Sequence, residues 1–355
     1  MRRREQRLRL LDEEAAERRR DPVRLHGYPL PEDWGIALYL LDESANPTGS
    51  LKHRVARALF RHAIRQGRID GDTPVIEATG GNAAVSQAYF ARLLGLPFVA
   101  VMPRKSSPEK VERIERLGGA VHLVHPPLAI YREAERLAAE EGGHYMDYLG
   151  NGAGAVAAGT ADDDIAEVLF ERLARQGVPT PRWVVVGAGS GTTATTIGRY
   201  IRRHGLPTGL AVVDPENSAY FPGWVLDAAD YSTGMPSRIE GIGRPRMEPG
   251  FTPELVDVVI PVPDAASLAA MRFLHDTTGL RGGGSTGTNL FGAFQLIAKM
   301  RREGRQGVVV TLLCDDGDLY RDTYYSDTWL AAKGFDLAPH LKRLHHFLAT
   351  GELAT

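Results

Sequence analysis

Apolar residues in this chain arrive in short runs. Each run is closed by a polar, glycine-containing break and followed by a segment in which apolar positions recur every three to four residues. The run is the pattern of a strand buried on both faces, and the recurrence is that of a helix covering it. Residues 35–42 (Gly-Ile-Ala-Leu-Tyr-Leu-Leu-Asp) predict a short buried strand. Residues 73–78 predict a second, followed by the break Thr79-Gly80-Gly81-Asn82 and a helix through Leu94. A strand at 98–102 stops at Pro103, a helix at 107–117 opens Ser-Pro-Glu and stops at Gly118-Gly119, and a strand at 121–124 precedes a helix at 130–141. The stretch 150–159, rich in Gly and Ala, reads as a hinge between lobes. Beyond it the pattern resumes with strand 183–186, a glycine-rich break and a helix to Arg203, then strands at 210–214 and 308–313. Such regular exchange predicts an α/β architecture built on parallel sheet.

Composition narrows this picture. A chain of 355 residues that is 43% hydrophobic can bury a substantial core, in two domains or two lobes. With 42 basic and 44 acidic residues and a net charge of −2, nothing in the charge balance favours nucleic acid or a membrane as partner. No run approaches the ~18 apolar residues of a membrane span. The single cysteine, Cys314, ends the apolar run 308–313, where a small hydrophobe is expected to pack; a reduced, cytoplasmic chain is the expectation. The N-terminus begins Met1-Arg2-Arg3-Arg4 but continues into Leu11-Asp12-Glu13-Glu14 and Arg18-Arg19-Arg20 without an apolar core. It is therefore read as a charged, solvated helix with i,i+4 pairs, not an export signal.

Candidate chemistry starts at Asn46-Pro47-Thr48-Gly49-Ser50-Leu51-Lys52-His53-Arg54. The chain has only six lysines against thirty-six arginines, so a lysine at the start of a predicted helix, directly after a turn of Pro, Gly and hydroxyl residues, is informative. Ser50 is placed to cap, and the positive end of the helix dipole disfavours the ammonium form of Lys52, which suits it to act as a nucleophilic amine.

Three glycine-rich loops, all read as strand-to-helix turns, extend the case. Gly187-Ala188-Gly189-Ser190-Gly191-Thr192-Thr193 forms a backbone cup for an anion, since free amides at the helix start and the dipole both favour a phosphate. It lacks the third glycine of a dinucleotide fingerprint and the Gly-Lys-Ser/Thr of a nucleoside-triphosphate loop. Thr79-Gly80-Gly81-Asn82-Ala83 offers a second anion site, suited to a substrate carboxylate, with Asn82 as a directional donor. Arg281-Gly282-Gly283-Gly284-Ser285 is the third, and its glycines let the chain approach something closely at Ser285. An amine for an aldehyde, an anion cup and donors for a ring are together the set that holds pyridoxal 5′-phosphate.

These motifs resemble the cysteine synthase and cystathionine β-synthase family of fold type II pyridoxal-phosphate enzymes, over residues 35–329. The 46–52 stretch is similar to that family's Schiff-base motif almost residue for residue. Gly189-Ser190-Gly191-Thr192-Thr193 is similar to its phosphate loop, with Thr192 where glycine is usual. Gly283-Gly284-Ser285-Thr286-Gly287 is similar to the loop whose serine meets the pyridine nitrogen, and Glu240-Gly241-Ile242-Gly243 to a cofactor-side loop. Residues 85–98 and 322–329 look most like the actinobacterial L-cysteine desulfhydrase branch.

The resemblance implies a fold type II architecture: two parallel-sheet, three-layer α/β/α domains with the cofactor in the cleft between them. It implies a smaller domain at 52–158 and a larger one from 31–51 and 159–340; outside it, the charged N-terminal segment is expected to be an arm at 1–30 and residues 341–355 a tail. Lys52 is then the catalytic residue. Asn82, Gly189, Ser190, Gly191, Thr192, Thr193, Gly241 and Ser285 join it in binding the cofactor, and Thr79, Gly80, Gly81, Asn82, Ala83 and Tyr148 bind a small amino-acid substrate. No metal is implied. The implied reaction is β-elimination or β-replacement through an aminoacrylate intermediate on cysteine, O-acetylserine or a relative, in a homodimer. A catalytically silent, ligand- or partner-binding relative is the alternative reading, and behind it a nicotinamide-dependent dehydrogenase, which would share the alternating sheet but lacks the third glycine and leaves Lys52 unexplained. Departures fall at the carboxylate loop, usually Thr-Ser-Gly-Asn-Thr, where Gly80 and Ala83 replace hydroxyl residues. Tyr148 stands in place of a glutamine, so a roomier, less polar pocket is expected. Asp315-Asp316-Gly317-Asp318 stands where a Ser-Ser-Gly is usual; these acids could reach the substrate or a cation, and solvated turn aspartates are the favoured reading.

Overall fold

The computed structural model describes residues 2–20 and 23–353. In chain order these form α1 (Arg2–Arg20), β1 (Leu25–Tyr28), β2 (Ile36–Asp42), α2 (Lys52–Arg65), β3 (Val75–Glu77), α3 (Asn82–Leu93), β4 (Phe98–Pro103) and α4 (Pro108–Glu115). There follow β5 (Ala120–Val124), α5 (Ile130–Glu140), β6 (His144–Tyr145), α6 (Tyr148–Ala157), α7 (Ile165–Arg175), β7 (Trp183–Gly187), α8 (Thr192–Arg203) and β8 (Gly209–Pro215). The chain ends with α9 (Tyr220–Val225), β9 (Val258–Val262), α10 (Asp264–Thr278), α11 (Gly284–Arg302), β10 (Gly307–Leu313), α12 (Asp327–Ala332) and α13 (Ala338–Thr350). Two compact units result: one takes the chain up to residue 22 and Asn46–Ile165, the other takes Val23–Ala45 and everything from Ala166.

The first unit holds a sheet of order β5-β4-β3-β6, parallel throughout. Its strands bury both faces by alternation. Val75, Ala100 and Met102 join a core with α2, α3 and α6, while Ile76 and Val101 face Ile130, Ala134 and Ala138 of α5. Helix α1 packs on this unit instead of standing off as a solvated arm: Leu11 is 0% and Ala15 2% exposed. The Arg7 guanidinium donates to the Leu94 carbonyl at 3.1 Å. Its charges hid an inward stripe. The expected hinge at 150–159 is likewise α6, whose Gly152, Ala153 and Ala155 are buried because small residues let two helices approach closely.

The second unit holds a sheet of order β1-β2-β10-β7-β8-β9, parallel except for the edge strand β1, which runs antiparallel to β2. Leu25-His26-Gly27-Tyr28 has no apolar run to announce it, and the sheet is mixed where an all-parallel one was expected. Strand β9 is hidden in the sequence by Pro261; as the other edge of the sheet it tolerates a residue without an N–H. Leu344 and Phe347 of α13 are fully buried in this unit's core, and the Phe347 ring lies 5.3 Å from Trp34 and 4.8 Å from Phe294. The chain therefore ends in a core helix up to Thr350, not in a tail from 341.

Candidate active site

In the first unit Gly49 turns the chain with φ +70° and its N–H donates to the Asn46 carbonyl at 2.7 Å, after which Lys52 opens α2. The cap position falls on Leu51 and not on Ser50, and no side chain caps the helix; Ser50 Oγ only accepts a long bond from the Lys52 N–H at 3.4 Å. A primary amine on the first helical turn, partly exposed, is what the motif called for.

Strand β3 ends at Glu77 and delivers Thr79-Gly80-Gly81-Asn82-Ala83 to the start of α3. Gly81 is the helix cap at φ −104°, a conformation open to any residue, and no atom lies within 4 Å of where its Cβ would sit. Neither backbone nor packing demands glycine there, so the open space fits a ligand beside the α3 amides. The Asn82 Oδ1 accepts from the Arg113 guanidinium at 3.1 Å, which directs the NH2 end of the amide away from Arg113. Gly80 is different. A Cβ there would lie 2.6 Å from the terminal methyl of Met102, so the lost hydroxyl leaves a less polar loop but no roomier one.

Glu77 was not anticipated. It is 2% exposed and accepts from the Ala78 N–H at 2.9 Å, the Gln87 amide at 2.9 Å and the Tyr148 N–H at 3.0 Å. One carboxylate thus binds the entry of the loop, helix α3 and the start of α6. Burial pushes it up to about 7 against the pull of these three donors. Tyr148 contributes to this cluster by its backbone, while its ring sits in the hydrophobic core at 6% exposure.

In the second unit β7 delivers Gly189-Ser190-Gly191-Thr192-Thr193 to α8. Gly191 is obligatory: its φ is +82°, and a Cβ would lie 2.4 Å from the Phe251 Cα. The Ser190 hydroxyl donates to Thr192 Oγ1 at 2.9 Å, and Tyr220 donates from its hydroxyl to the Gly189 carbonyl. The first-turn amides of α8, which have no carbonyl one turn before them, face out of a braced loop. The Gly243 N–H donates to the Ala188 carbonyl at 2.8 Å, bringing the Gly241 loop (φ +88° at Gly241) beside it. Helix α11 is close too, since a Cβ on Gly187 would lie 3.3 Å from Asn289 Oδ1.

Ser285, 4% exposed, is the second residue of α11. Its loop joins α10 to α11, so it is a helix-to-helix connection and not the strand-to-helix turn expected. The hydroxyl run 285–288 conceals a helix whose propensity is overridden by burial. Asp315 holds this loop from the end of β10: it accepts from the Gly283 N–H at 3.1 Å and from the Tyr320 hydroxyl at 2.6 Å, and is 4% exposed. It is a structural acceptor, not a solvated turn aspartate. Asp316 accepts from the Asp318 N–H at 2.9 Å, and Asp318 pairs with Arg281 at 3.1 Å and Arg321 at 3.2 Å.

Each unit therefore assembles its own set. The first unit presents a primary amine and a helix-start anion site, and the second a helix-start anion site and the nearly buried Ser285 hydroxyl; these are group types suited to the aldehyde, phosphate and pyridine of pyridoxal phosphate. Among the described residues no helix is long and apolar enough to cross a membrane.

Residues 21–315 match the family model described as pyridoxal-phosphate dependent enzyme. The chain is 51% identical over 329 residues to the L-cysteine desulfhydrase Cds1 of Mycobacterium tuberculosis, covering 92% of this chain and 89% of that one. It is 30% identical over 300 residues to an N-(2-amino-2-carboxyethyl)-L-glutamate synthase of Ralstonia nicotianae, covering 81% and 82%. Among solved structures it resembles O-ureido-L-serine synthase, with a TM-score of 0.74, 23% identity and coverage of 87% and 96%. It also resembles a hydrogen sulfide-producing enzyme solved with an α-aminoacrylate intermediate, with a TM-score of 0.69, 25% identity and coverage of 81% and 83%.

Proposed function

The chain belongs to the family of pyridoxal-phosphate dependent enzymes, and from that premise we propose that it is a lyase acting on L-cysteine, expelling sulfide from Cβ and yielding pyruvate and ammonia after hydrolysis. The observation that carries this reading is the 51% identity to an L-cysteine desulfhydrase over almost the whole chain, with Lys52 opening α2 after the Gly49 turn. Pyridoxal phosphate, when bound, supplies an electron sink for negative charge developing at the substrate's Cα.

The chain's own residues do the rest. Lys52 Nζ would hold the cofactor and would be the base that takes the proton from the substrate's Cα. Thr79, Gly80, Gly81, Asn82 and Ala83 receive the substrate carboxylate on the α3 amides, with Tyr148 braced beside them through Glu77. Gly189, Ser190, Gly191, Thr192 and Thr193 would hold the phosphate, and Asn82 and Gly241 would bind the cofactor with them. Ser285 would face the pyridine nitrogen with a neutral hydroxyl, a partner that, unlike a carboxylate, would not hold that nitrogen protonated and would suit departure of a Cβ substituent over transamination. Replacement at Cβ of O-acetylserine or a related amino acid uses the same groups. The enzyme is a cytoplasmic homodimer in this reading; a solution mass near 38.7 kDa would remove the dimer.

The deciding experiment follows sulfide and pyruvate from cysteine in purified protein reconstituted with pyridoxal phosphate. Equal amounts of both are expected, together with a visible absorbance band that Lys52→Ala removes. Turnover surviving in Lys52→Ala, or cysteine left intact while O-acetylserine is consumed, would overturn the amine assignment or the substrate respectively.

A further inference from the structure

Helix α2 carries a polar face that is buried: His53, Arg54, Arg57 and Arg61, spaced by three and four residues from Arg54 on. Arg57, 1% exposed, reaches Glu14 Oε2 of α1 at 2.7 Å and Asp163 Oδ1 at 2.6 Å. Asp163 also receives Arg61 at 3.2 Å and the Thr160 N–H at 3.1 Å. The second oxygen of Glu14 lies 2.9 Å from His53 Nε2. The other ring nitrogen, Nδ1, is 3.3 Å from Thr48 Oγ1, which in turn is 2.9 Å from Ser86 Oγ on α3.

The proton positions in this chain follow from chemistry. Burial raises the Glu14 carboxyl, but the bond to His53 and the charge and bond of Arg57 outweigh it, so Glu14 is ionised and only accepts. Burial lowers His53, with Arg57 and Arg54 adding to the effect against Glu14, so its ring is neutral. The ring proton must then sit on Nε2, facing Glu14. Nδ1 is left as an acceptor, so the Thr48 hydroxyl must donate to it, and the Thr48 oxygen in turn accepts from Ser86. The donors all point one way, from α3 to α1.

We propose that Thr48 and His53 are positioning residues for Lys52, held in place through Glu14 by the N-terminal helix. The proposal rests on reading Lys52 as the catalytic amine. Thr48 and His53 bracket the lysine, one before and one after, and their bond closes a ring over Gly49, Ser50, Leu51 and Lys52. Within that ring the His53 N–H donates to the Ser50 carbonyl at 3.2 Å. The backbone that aims the amine is therefore fixed from both sides by a bond whose far end lies in α1. Since neither residue belongs to the carboxylate loop, loosening this bond should reduce the rate of the amine's step more than substrate affinity.

Two measurements test this. In apoprotein labelled with 15N-histidine, His53, assigned by its loss in His53→Gln, should show the Nε2–H tautomer without titrating through 6.5. An Nδ1–H tautomer, or a ring that titrates there, overturns the relay. In holoenzyme, Thr48→Val should lower kcat about fivefold with KM within about twofold, and Thr48→Ser should restore it, as one buried hydrogen bond is worth about that factor. Unchanged kcat in Thr48→Val, or equal losses in Thr48→Val and Thr48→Ser, means that Thr48 only packs and overturns the assignment. Should Thr48→Val not fold, Glu14→Gln replaces it, with the same fall in kcat expected and no change in kcat overturning. Turnover persisting in Lys52→Ala would instead defeat the underlying reading, leaving the tautomer result untouched.

Discussion

Glu77 shows how much one buried carboxylate can be asked to do. Its ionised form is the one that its three N–H donors require, yet burial pushes it up to about 7, above its ordinary 4.5. Between those two pH values the folded chain keeps a proton that the unfolded chain releases. Stability contributed by this group is therefore greatest below 4.5, falls as pH rises through the window, and levels off above about 7, a change on the order of 3 kcal/mol. Glu77→Gln should abolish that slope in thermal midpoints recorded from pH 4.5 to 8; a slope identical to the parent's would assign it to other groups. The same glutamine leaves one N–H without its acceptor and should raise KM for cysteine at neutral pH, since Ala78 leads directly into the carboxylate loop. Nothing in Val-Ile-Glu-Ala distinguishes this residue from a strand-end glutamate facing water. Lys52, by contrast, was legible because its turn, its helix start and the scarcity of lysine coincide. The arginines of α2 were legible only in part: their three- and four-residue spacing is visible, but their acidic partners lie far off in sequence, at Asp12, Glu14 and Asp163.

At the scale of elements, the strand-to-helix turns at Thr79–Ala83 and Gly189–Thr193 were readable because glycines, hydroxyls and the period change fall together. The third loop differs because α10 precedes it, and that helix does carry local marks: Asp264 after Pro263, the apolar positions of residues 266–274 and Gly279 at its C-terminal cap. Replacing Gly80 by serine restores the family's usual hydroxyl and, from sequence, should strengthen binding by up to about fivefold. The structure reverses the sign: Met102 must give way, at a cost of about 1–3 kcal/mol for overpacking. Gly80→Ser should therefore lower the urea midpoint without tightening cysteine binding, and Met102→Ala added to it should recover part of the loss. A Gly80→Ser protein of full stability and lower KM would show that the methionine yields freely. Gly191→Ala is expected to be worse, because a positive φ and the Phe251 backbone oppose any side chain. Apoprotein stability, measured without phosphate, should drop by about 2 kcal/mol or more.

For the whole molecule, the alternation of runs and periodic segments was enough to imply two parallel-sheet units. Segments that read as an arm or a tail carry apolar residues that belong to the interior. Helix α13 is the clearest case. Truncating Phe347 to alanine should cost about 3–5 kcal/mol in the second unit. All four tryptophans, Trp34, Trp183, Trp224 and Trp329, belong to that unit, so their fluorescence in denaturant should register the loss as a lowered midpoint. The pairing of β2 with β10 carries a different consequence, for a chain emerging from the ribosome. Every residue of β2 has its parallel partner between Gly307 and Leu313. At about 5–20 residues per second, that edge stays open for on the order of tens of seconds while the first unit, complete at Ile165, is already free to fold. The segment Val23–Ala45 is synthesised early and used late, so until translation reaches β10 the nascent chain carries an exposed apolar strand, and that interval is when a chaperone would have most to protect.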